Sequence, residues 1–534
     1  ELILGRLAMY ALFWSFGGLL EADDRLHFEE YIRGICPEHM PTVEEGETTY
    51  EYLVNPEDGE WKVWRPPAWK YPSKSAKLDF SNLLVPTMDS TRACYILHHL
   101  HKQRKHALMV GGGGTAKTST AYMFLNTLDP GEMLVKNYNF SSATTPFAFQ
   151  MAIEGELDKR GGKNFGPPNG KKLTFFLDDI SMPLINDWGD QPTLESTRLV
   201  LEQGYFTFLD KDKRGDFKTC EDLQYIAAMQ HPTGGRNDIP NRLRSKFFCF
   251  NLVLPSMTSI NDMYGQMLNG RFTAKEFKPD FLAIVGKLTA TTIDLWKKMQ
   301  TKMLPTPAKF HYVFNLRELS RVFQGVLLTP KETYTTGGGI MANEGKTSND
   351  GKSRSLKIDK LTPPVVMLNV WKHECERVFC DKLTNNQDKD WYLKYINEHL
   401  VPEHFDEEIA AQANPEGGLN MLSCLREDIY DEEGVFEEFA PKQYEIAGTM
   451  DDCRDRISMF MDRHNEETPQ SKLELVLFND AVKHLLRISR LVEMPRGSGL
   501  LVGVGGSGKQ SLTRLASYIS NAMCFQITLT KSYG

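Results

Sequence analysis

Four apolar residues, Ala107-Leu108-Met109-Val110, run into Gly111-Gly112-Gly113-Gly114-Thr115-Ala116-Lys117-Thr118 and then into a stretch with helical spacing. Few architectures admit that order. A short strand, a glycine-dense turn and a Lys-Thr pair opening a helix bring backbone N–H groups and a helix N-terminus to one point, which makes a cradle for a phosphate-sized anion. In such a cradle Lys117 reaches the outer phosphates and the Thr118 hydroxyl serves Mg²⁺, with Gly111 through Ser119 as the contacting run. The fit to G-x-x-x-x-G-K-[ST] is imperfect, because Ala116 stands where the second glycine belongs. One methyl is a small defect if residue 116 is helical and a serious one if its φ is positive. An ordinary Gly-rich turn is the competing interpretation.

Two features downstream favour the cradle. Leu173-Thr174-Phe175-Phe176-Leu177 is an apolar run ending in Asp178 and Asp179, as a Walker B strand requires: Asp178 holds Mg²⁺ and Asp179 orients the attacking water. A second loop, Gly503-Val504-Gly505-Gly506-Ser507-Gly508-Lys509-Gln510-Ser511, follows Leu500-Leu501-Val502 at an interval of 392 residues. Both glycines and the lysine are in place, whereas Gln510 replaces the usual Ser/Thr and leaves the Mg²⁺ contact to Ser511 or a water. A strand, a loop and a helix are expected here too, so the chain reads as tandem repeats of one nucleotide-binding domain.

Around the first loop, apolar strands are predicted at 107–110, 133–140, 173–177, 225–229 and 247–252. Their alternation with crossovers predicts an α/β domain with a five-stranded parallel sheet, helices on both faces and ligand beyond the carboxyl strand ends. The fourth strand ends at Gln230, in reach of a γ-phosphate or the lytic water. Arg242 and Arg244 precede the fifth, where an arginine reaches a nucleotide held by an adjacent domain or simply forms a solvated cationic face. Val85 and Pro86, in Leu83–Thr87, either line the nucleobase or belong to an inter-domain loop.

At 534 residues several domains are expected, and 41% hydrophobic and 25% charged residues exclude disorder. A net charge of −8 lacks the basic footprint of nucleic-acid binding, so no such partner is expected. Leu7–Leu20 is apolar but short for a bilayer and interrupted by Ser15, Gly17 and Gly18, which predicts a buried helix and no membrane partner. Nine scattered cysteines suit reduced thiols in the cytoplasm. His373, Cys375 and Cys380 lack zinc spacing and read as helical core. The expected organisation is a helical end of one module and a connector at 1–80, a large α/β subdomain at 81–255, a helical lid at 256–400 with a mobile loop at 331–360, and a linker with the start of a further module at 401–534. The acidic stretch 427–438 reads as solvated linker. Glu1 opens with neither Met nor a basic region, so no signal peptide is read there; starting inside a helix and stopping at Gly534 shortly after the second loop, the chain reads as part of a longer polypeptide.

Several longer motifs carry a resemblance. Asp178-Asp179-Ile180-Ser181-Met182-Pro183, Phe165-Gly166-Pro167-Pro168, Gly234-Gly235-Arg236-Asn237 and Phe314-Asn315-Leu316-Arg317-Glu318-Leu319-Ser320, together with the tandem P-loops, resemble the motor ring of dynein heavy chains. Gly114-Thr115-Ala116-Lys117-Thr118, Asn139-Phe140-Ser141-Ser142-Ala143-Thr144-Thr145 and Asn186-Asp187-Trp188-Gly189-Asp190-Gln191 resemble its axonemal outer-arm, gamma-type class. The resemblance implies the end of the second AAA+ module, a complete third and the start of the fourth, in an ATP-driven, minus-end-directed microtubule motor. It implies ATP or ADP with Mg²⁺ at a regulatory third module, Arg317 as a lid sensor, and Arg242 or Arg244 as a finger toward the second module's site. The implied partners are neighbouring AAA+ modules of the same heavy chain, microtubules through a stalk elsewhere, and other dynein heavy, intermediate and light chains in a ciliary or flagellar axoneme. Asp179 replaces the glutamate of that family and Gln230 its asparagine sensor. Slow turnover is therefore expected, with a permanently ADP-clamped, non-hydrolysing module as the alternative.

Overall fold

Alternate residues of the apolar strands bury on opposite faces. Leu108, Phe175, Leu177, Tyr225 and Ala227 join Phe149, Leu194 and Leu243 in one core cluster. Met109, Phe176, Ile226, Ala228 and Phe250 join Phe13, Trp14, Leu97 and Phe124 in another. Strands with both faces in a core need helices on both sides of a parallel sheet. That arrangement is what the computed structural model contains; it describes residues 2–44, 46–72, 80, 83–208, 211–213, 215–232, 236–335, 361–413, 420–424, 429–430, 436–438, 443–447 and 449–527.

The chain divides into two units, Glu1–Trp69 with Leu84–Met263, and Lys70–Leu83 with Tyr264–Gly534. The first carries α1 (Leu2–Ser15), α2 (Ala22–Ile35), the hairpin β1 (Tyr52–Val54) and β2 (Trp61–Val63), α3 (Met88–Lys102), β3 (Ala107–Val110), α4 (Lys117–Leu125), β4 (Met133–Asn139) and α5 (Pro146–Glu154). It continues with β5 (Asp158–Gly161), β6 (Asn164–Gly166), β7 (Lys172–Asp178), α6 (Pro192–Gln203), β8 (Tyr205–Thr207), β9 (Phe217–Cys220), β10 (Leu223–Met229), α7 (Asn241–Arg244) and β11 (Phe248–Asn251). The main sheet has the order β11-β3-β10-β7-β4 and every pairing is parallel. All five expected strands are present, with ends displaced by no more than two residues.

Two sheets of the first unit were not expected from the sequence, nor were two short strand pairs of the second, Met421–Leu422 with Glu445–Ile446 and Ile429–Tyr430 with Phe436–Glu438. The hairpin β1–β2 lies within the segment 41–80, and β5-β6-β9-β8 form a separate four-stranded sheet. Its strands are only three or four residues long; β5 is wholly exposed, and β6, β8 and β9 each bury a single residue, so no apolar alternation marks them. The apolar N-terminal stretch is longer than its charge-free core suggests: Leu2–Leu19, mean hydropathy 1.4, is long and apolar enough to cross a membrane by length and composition. Met9, Phe13 and Trp14 of this stretch pack into the core beside the main sheet.

The second unit begins within α8 (Met257–Arg271) and continues with α9 (Pro279–Lys302), α10 (Leu316–Leu328), α11 (Lys331–Thr335), α12 (Pro363–Cys375), α13 (Asn386–Tyr395), α14 (Val401–His404) and α15 (Glu407–Gln412). After these come β12 (Met421–Leu422), β13 (Ile429–Tyr430), β14 (Phe436–Glu438), β15 (Glu445–Ile446), α16 (Met450–Glu467), α17 (Asn479–Glu493) and α18 (Lys509–Ile519). The predicted loop 331–360 starts later than expected, because Thr333 and Tyr334 bury in α11; 336–360 lie outside the described residues. His373 and Cys375 lie in the buried helix α12, and Cys380 ends the π-helical turn that follows. In the acidic stretch Glu437 and Glu438 belong to β14, paired with β13, while Glu427, Asp428, Asp431, Glu432 and Glu433 lie outside the described residues. The strand expected at 500–502 is absent: Leu500 and Val502 are 90% and 87% exposed and no described residue pairs with them. A strand exists only within a ladder, so this segment runs unpaired into its loop.

Candidate functional site

The first loop leaves β3 at the carboxyl edge of the sheet and closes on α4. Gly111 has no room for a side chain, since a Cβ there would lie 2.5 Å from the Leu252 carbonyl oxygen and 2.7 Å from Thr115 Oγ1. Lys117 turns back into the loop and is 7% exposed; its Nζ donates to the carbonyls of Gly111 (2.9 Å) and Gly112 (2.7 Å) and approaches Thr115 Oγ1 (3.4 Å). Gly113 and Gly114 complete the turn, with Gly114 at φ +87°. Thr118 and Ser119 lie half-buried in the first turn of α4.

The second loop repeats this arrangement residue for residue. Lys509 Nζ donates to the carbonyls of Gly503 (2.8 Å) and Val504 (2.7 Å) and to Ser507 Oγ (3.0 Å). Gly506 and Gly508 are left-handed, as are Gly114 and Ala116 at the same places in the first loop. Gly505 and Gln510 are exposed, and Ser511 is half-buried one turn into α18.

Ala116 thus has the unfavourable conformation, φ 60° and ψ 24°. A left-handed L-residue costs roughly 1–2 kcal/mol, partly offset by the greater freedom of glycine in the unfolded chain. Ala116→Gly is expected to stabilise the ligand-free protein by about 0.5–1 kcal/mol, read as a rise in Tm. A fall in Tm would show that the methyl is unstrained.

β10 separates β3 from β7, yet the two motifs meet beyond it: Thr118 Oγ1 donates to Asp178 Oδ2 at 2.8 Å across 60 residues of sequence. Burial raises the Asp178 carboxyl above its ordinary value, the charge of Asp179 adds to the rise, and the Thr118 hydrogen bond and the Lys117 charge oppose it. Asp179 is left-handed at φ 52°, a conformation that collects at functional sites, and its N–H donates to Asp178 Oδ1 (3.1 Å). Gln230 follows β10 directly; the register pairs Met229 with Val110, placing Gln230 level with the first loop residue.

The other candidates are placed as follows. Val85 is buried and Pro86 half-buried. The cleft beside the loop is walled from the next residue onward by Thr87, Ser90, Thr115, Ala116, Thr120 and Pro255. Trp14, Arg25, Arg92 and Asn251 also line it, and no local motif marks them. Arg242 pairs with Glu195 (2.9 Å) and Arg244 with Asp238; neither lines the cleft. Arg317 is exposed at the start of α10 in the second unit, its N–H capped by Asn315 Oδ1 (2.8 Å). Gly234 and Gly235 lie outside the described residues, and Asn237 Nδ2 donates to the Pro183 carbonyl (3.0 Å).

A parallel five-stranded sheet with a lysine-bearing loop after one strand and a carboxylate at the tip of another, followed by a helical unit, defines a P-loop AAA+ protein. Sequence families agree. The family described as "P-loop containing dynein motor region" matches residues 72–255, and its D4 counterpart matches 473–534. "Dynein heavy chain AAA lid domain" matches 1–66 and "AAA+ lid domain" 288–341. The chain is 43% identical over 534 residues to the dynein gamma chain of the flagellar outer arm of Chlamydomonas reinhardtii, covering 99% of this chain and 11% of that protein. It is 41% identical over 541 residues to dynein axonemal heavy chain 5 of Mus musculus and 39% over 545 residues to dynein axonemal heavy chain 8 of Homo sapiens, again covering 99% and 11%. The chain belongs to the dynein heavy-chain family and, within it, resembles the axonemal outer-arm class. It spans about a tenth of the length of these relatives.

Proposed function

We propose that residues 81–400 are the third AAA+ module of an axonemal outer-arm dynein heavy chain, and that this module binds ATP or ADP with Mg²⁺ as a regulatory site of the motor. Residues 1–80 then close the second module and 401–534 open the fourth, whose loop at 503–511 is a second nucleotide cradle. The observation that carries this reading is the Thr118–Asp178 contact at 2.8 Å, which joins two oxygen ligands of the kind Mg²⁺ takes. Lys117, already turned into the loop, supplies the cation for the phosphates, and the loop amides supply the remaining donors. When bound, the nucleotide would supply the phosphoanhydride whose state the module senses, and Mg²⁺ would offset the charge of its phosphate oxygens.

Asp179 would orient water and Gln230 would monitor the outer phosphate. Arg317 is the proposed lid sensor, and Arg242 or Arg244 the finger toward the preceding module. In the whole protein these sites would govern minus-end-directed movement on microtubules during ciliary beating, together with other heavy, intermediate and light chains. The left-handed, one-methylene-shorter Asp179 favours a second reading in which the module holds ADP as a clamp and does not hydrolyse. Single-turnover phosphate release separates the two. A regulatory hydrolase loses at least tenfold of its Lys117-dependent rate in Asp179→Asn, because a general base contributes ~10²–10⁴-fold; a clamp shows no Lys117-dependent release in either protein.

A further inference from the structure

The walls of the first cleft include side chains from the far N-terminal segment. Arg25, in the first turn of α2, is 6% exposed. Its Nη2 donates to the carbonyl oxygens of Asn251 (2.8 Å) and Gly18 (3.2 Å), and its Nε to that of Leu20 (3.2 Å). The guanidinium stands 4.9 Å from the Tyr50 ring centroid. An arginine this deeply buried needs its donors satisfied, and all the acceptors named are backbone carbonyls.

Asn251 is the last residue of β11, the neighbour of β3 on one side. Its Nδ2 donates to Glu21 Oε1 (3.0 Å). The same Glu21 oxygen lies 2.9 Å from Nε2 of His231, two residues beyond β10, the neighbour of β3 on the other side. One carboxylate therefore spans the strand that feeds the loop. The next residue, Leu252, completes the connection. Its N–H donates to the Val110 carbonyl (2.7 Å), and its own carbonyl oxygen is the atom against which Gly111 packs without room for a Cβ.

We propose that Arg25 and Glu21 are positioning residues of the first cradle: by gripping the ends of β11 and β10 they hold Leu252 against Gly111 and so set the affinity of that loop for nucleotide. The inference rests on the reading of 111–118 as a nucleotide site. It makes the segment 1–66, which matches a lid domain, part of the next module's binding site. Arg25 carries the larger share, because its bonds are buried, whereas Glu21 is half exposed and its pairing correspondingly weaker.

The test is equilibrium binding of a fluorescent ADP, with the first-cradle component defined as the binding lost in Lys117→Ala. Arg25→Met, which keeps the stem and removes the donors, is expected to weaken that component at least tenfold. The Lys117-independent component should be unchanged. Arg25→Lys, retaining one charged donor for the Asn251 carbonyl, should recover part of the loss, and Glu21→Gln should weaken the same component two- to threefold. A change of less than twofold in Arg25→Met overturns the proposal. If Arg25→Met fails to fold, Glu21→Gln decides alone, and unaltered affinity in that variant overturns it. Absence of any Lys117-dependent binding instead removes the nucleotide reading itself.

Discussion

Lys117→Ala is expected to empty the first cradle while the second stays loaded. The Lys117 ammonium is nearly fully buried, and carbonyl oxygens of its own loop hold it at 2.7 and 2.9 Å. Those carbonyls keep the charge solvated, and phosphate oxygens can take their place without bringing the group out into water. A charge-assisted hydrogen bond contributes about 1.5–3 kcal/mol, so affinity should fall roughly a hundredfold. Lys509→Ala is the reciprocal experiment. Its ammonium has the same partners on a more exposed loop, so its removal should disturb the ligand-free fold less. Isothermal titration calorimetry of the two variants should each report one site fewer than the parent. An unaltered stoichiometry and affinity in Lys117→Ala would sink the assignment of this loop.

How much of this was legible beforehand follows from where the information lies along the chain. The strands β3, β7 and β10 are nearly continuous apolar runs because both of their faces are buried, and they could be placed within two residues; the edge strand β4 is mostly exposed and carries Lys136, Asn137 and Asn139. The loop and the aspartate pair were readable because their chemistry is local. What escaped is non-local or weakly patterned. Arg25 reaches Asn251 across 226 positions, and nothing near either residue announces the other. The polar strand β5 is wholly exposed and the four-residue β9 buries only Cys220, so they leave no periodicity to find. The left-handed backbone at Ala116 could be posed as a question from the sequence and answered only by φ. At 500–502 the apolar run was real, but it lies exposed because a strand is defined by its partners as much as by its residues.

Glu374→Gln is expected to destabilise the second unit by about 3 kcal/mol, the scale of breaking one side of a buried ion pair. The carboxylate is 0% exposed on α12 and accepts from Arg377 Nε (2.7 Å) and from Arg490 Nε (3.2 Å) and Nη2 (3.1 Å). Arg490, on α17, also donates to the Gly325 carbonyl (3.0 Å) and to Thr329 Oγ1 (3.1 Å) at the end of α10, and lies 3.9 Å from the Tyr444 ring centroid. Gly325 is required, since a Cβ there would lie 2.1 Å from Glu374 Oε2. One charge group thus joins the helix whose other end carries Arg317 to the helix that precedes the second loop. Burial alone would raise the Glu374 carboxyl, but the charges and hydrogen bonds of Arg377 and Arg490 outweigh it and hold it below 4.5. A depressed native value stabilises the fold above pH 4.5 and loses that contribution as pH falls through the native value, so the parent and Glu374→Gln should converge in stability on acidification. Adding Arg490→Met to Glu374→Gln removes the stranded guanidinium and should return at least half of the loss, as replacement of whole buried ion pairs does elsewhere. Hydrogen exchange of α10, α12 and α17 reads the effect locally. If protection there is unchanged in the single variant, or if the second substitution adds to the damage instead of relieving it, the three helices are held by their apolar packing and not by this ion cluster.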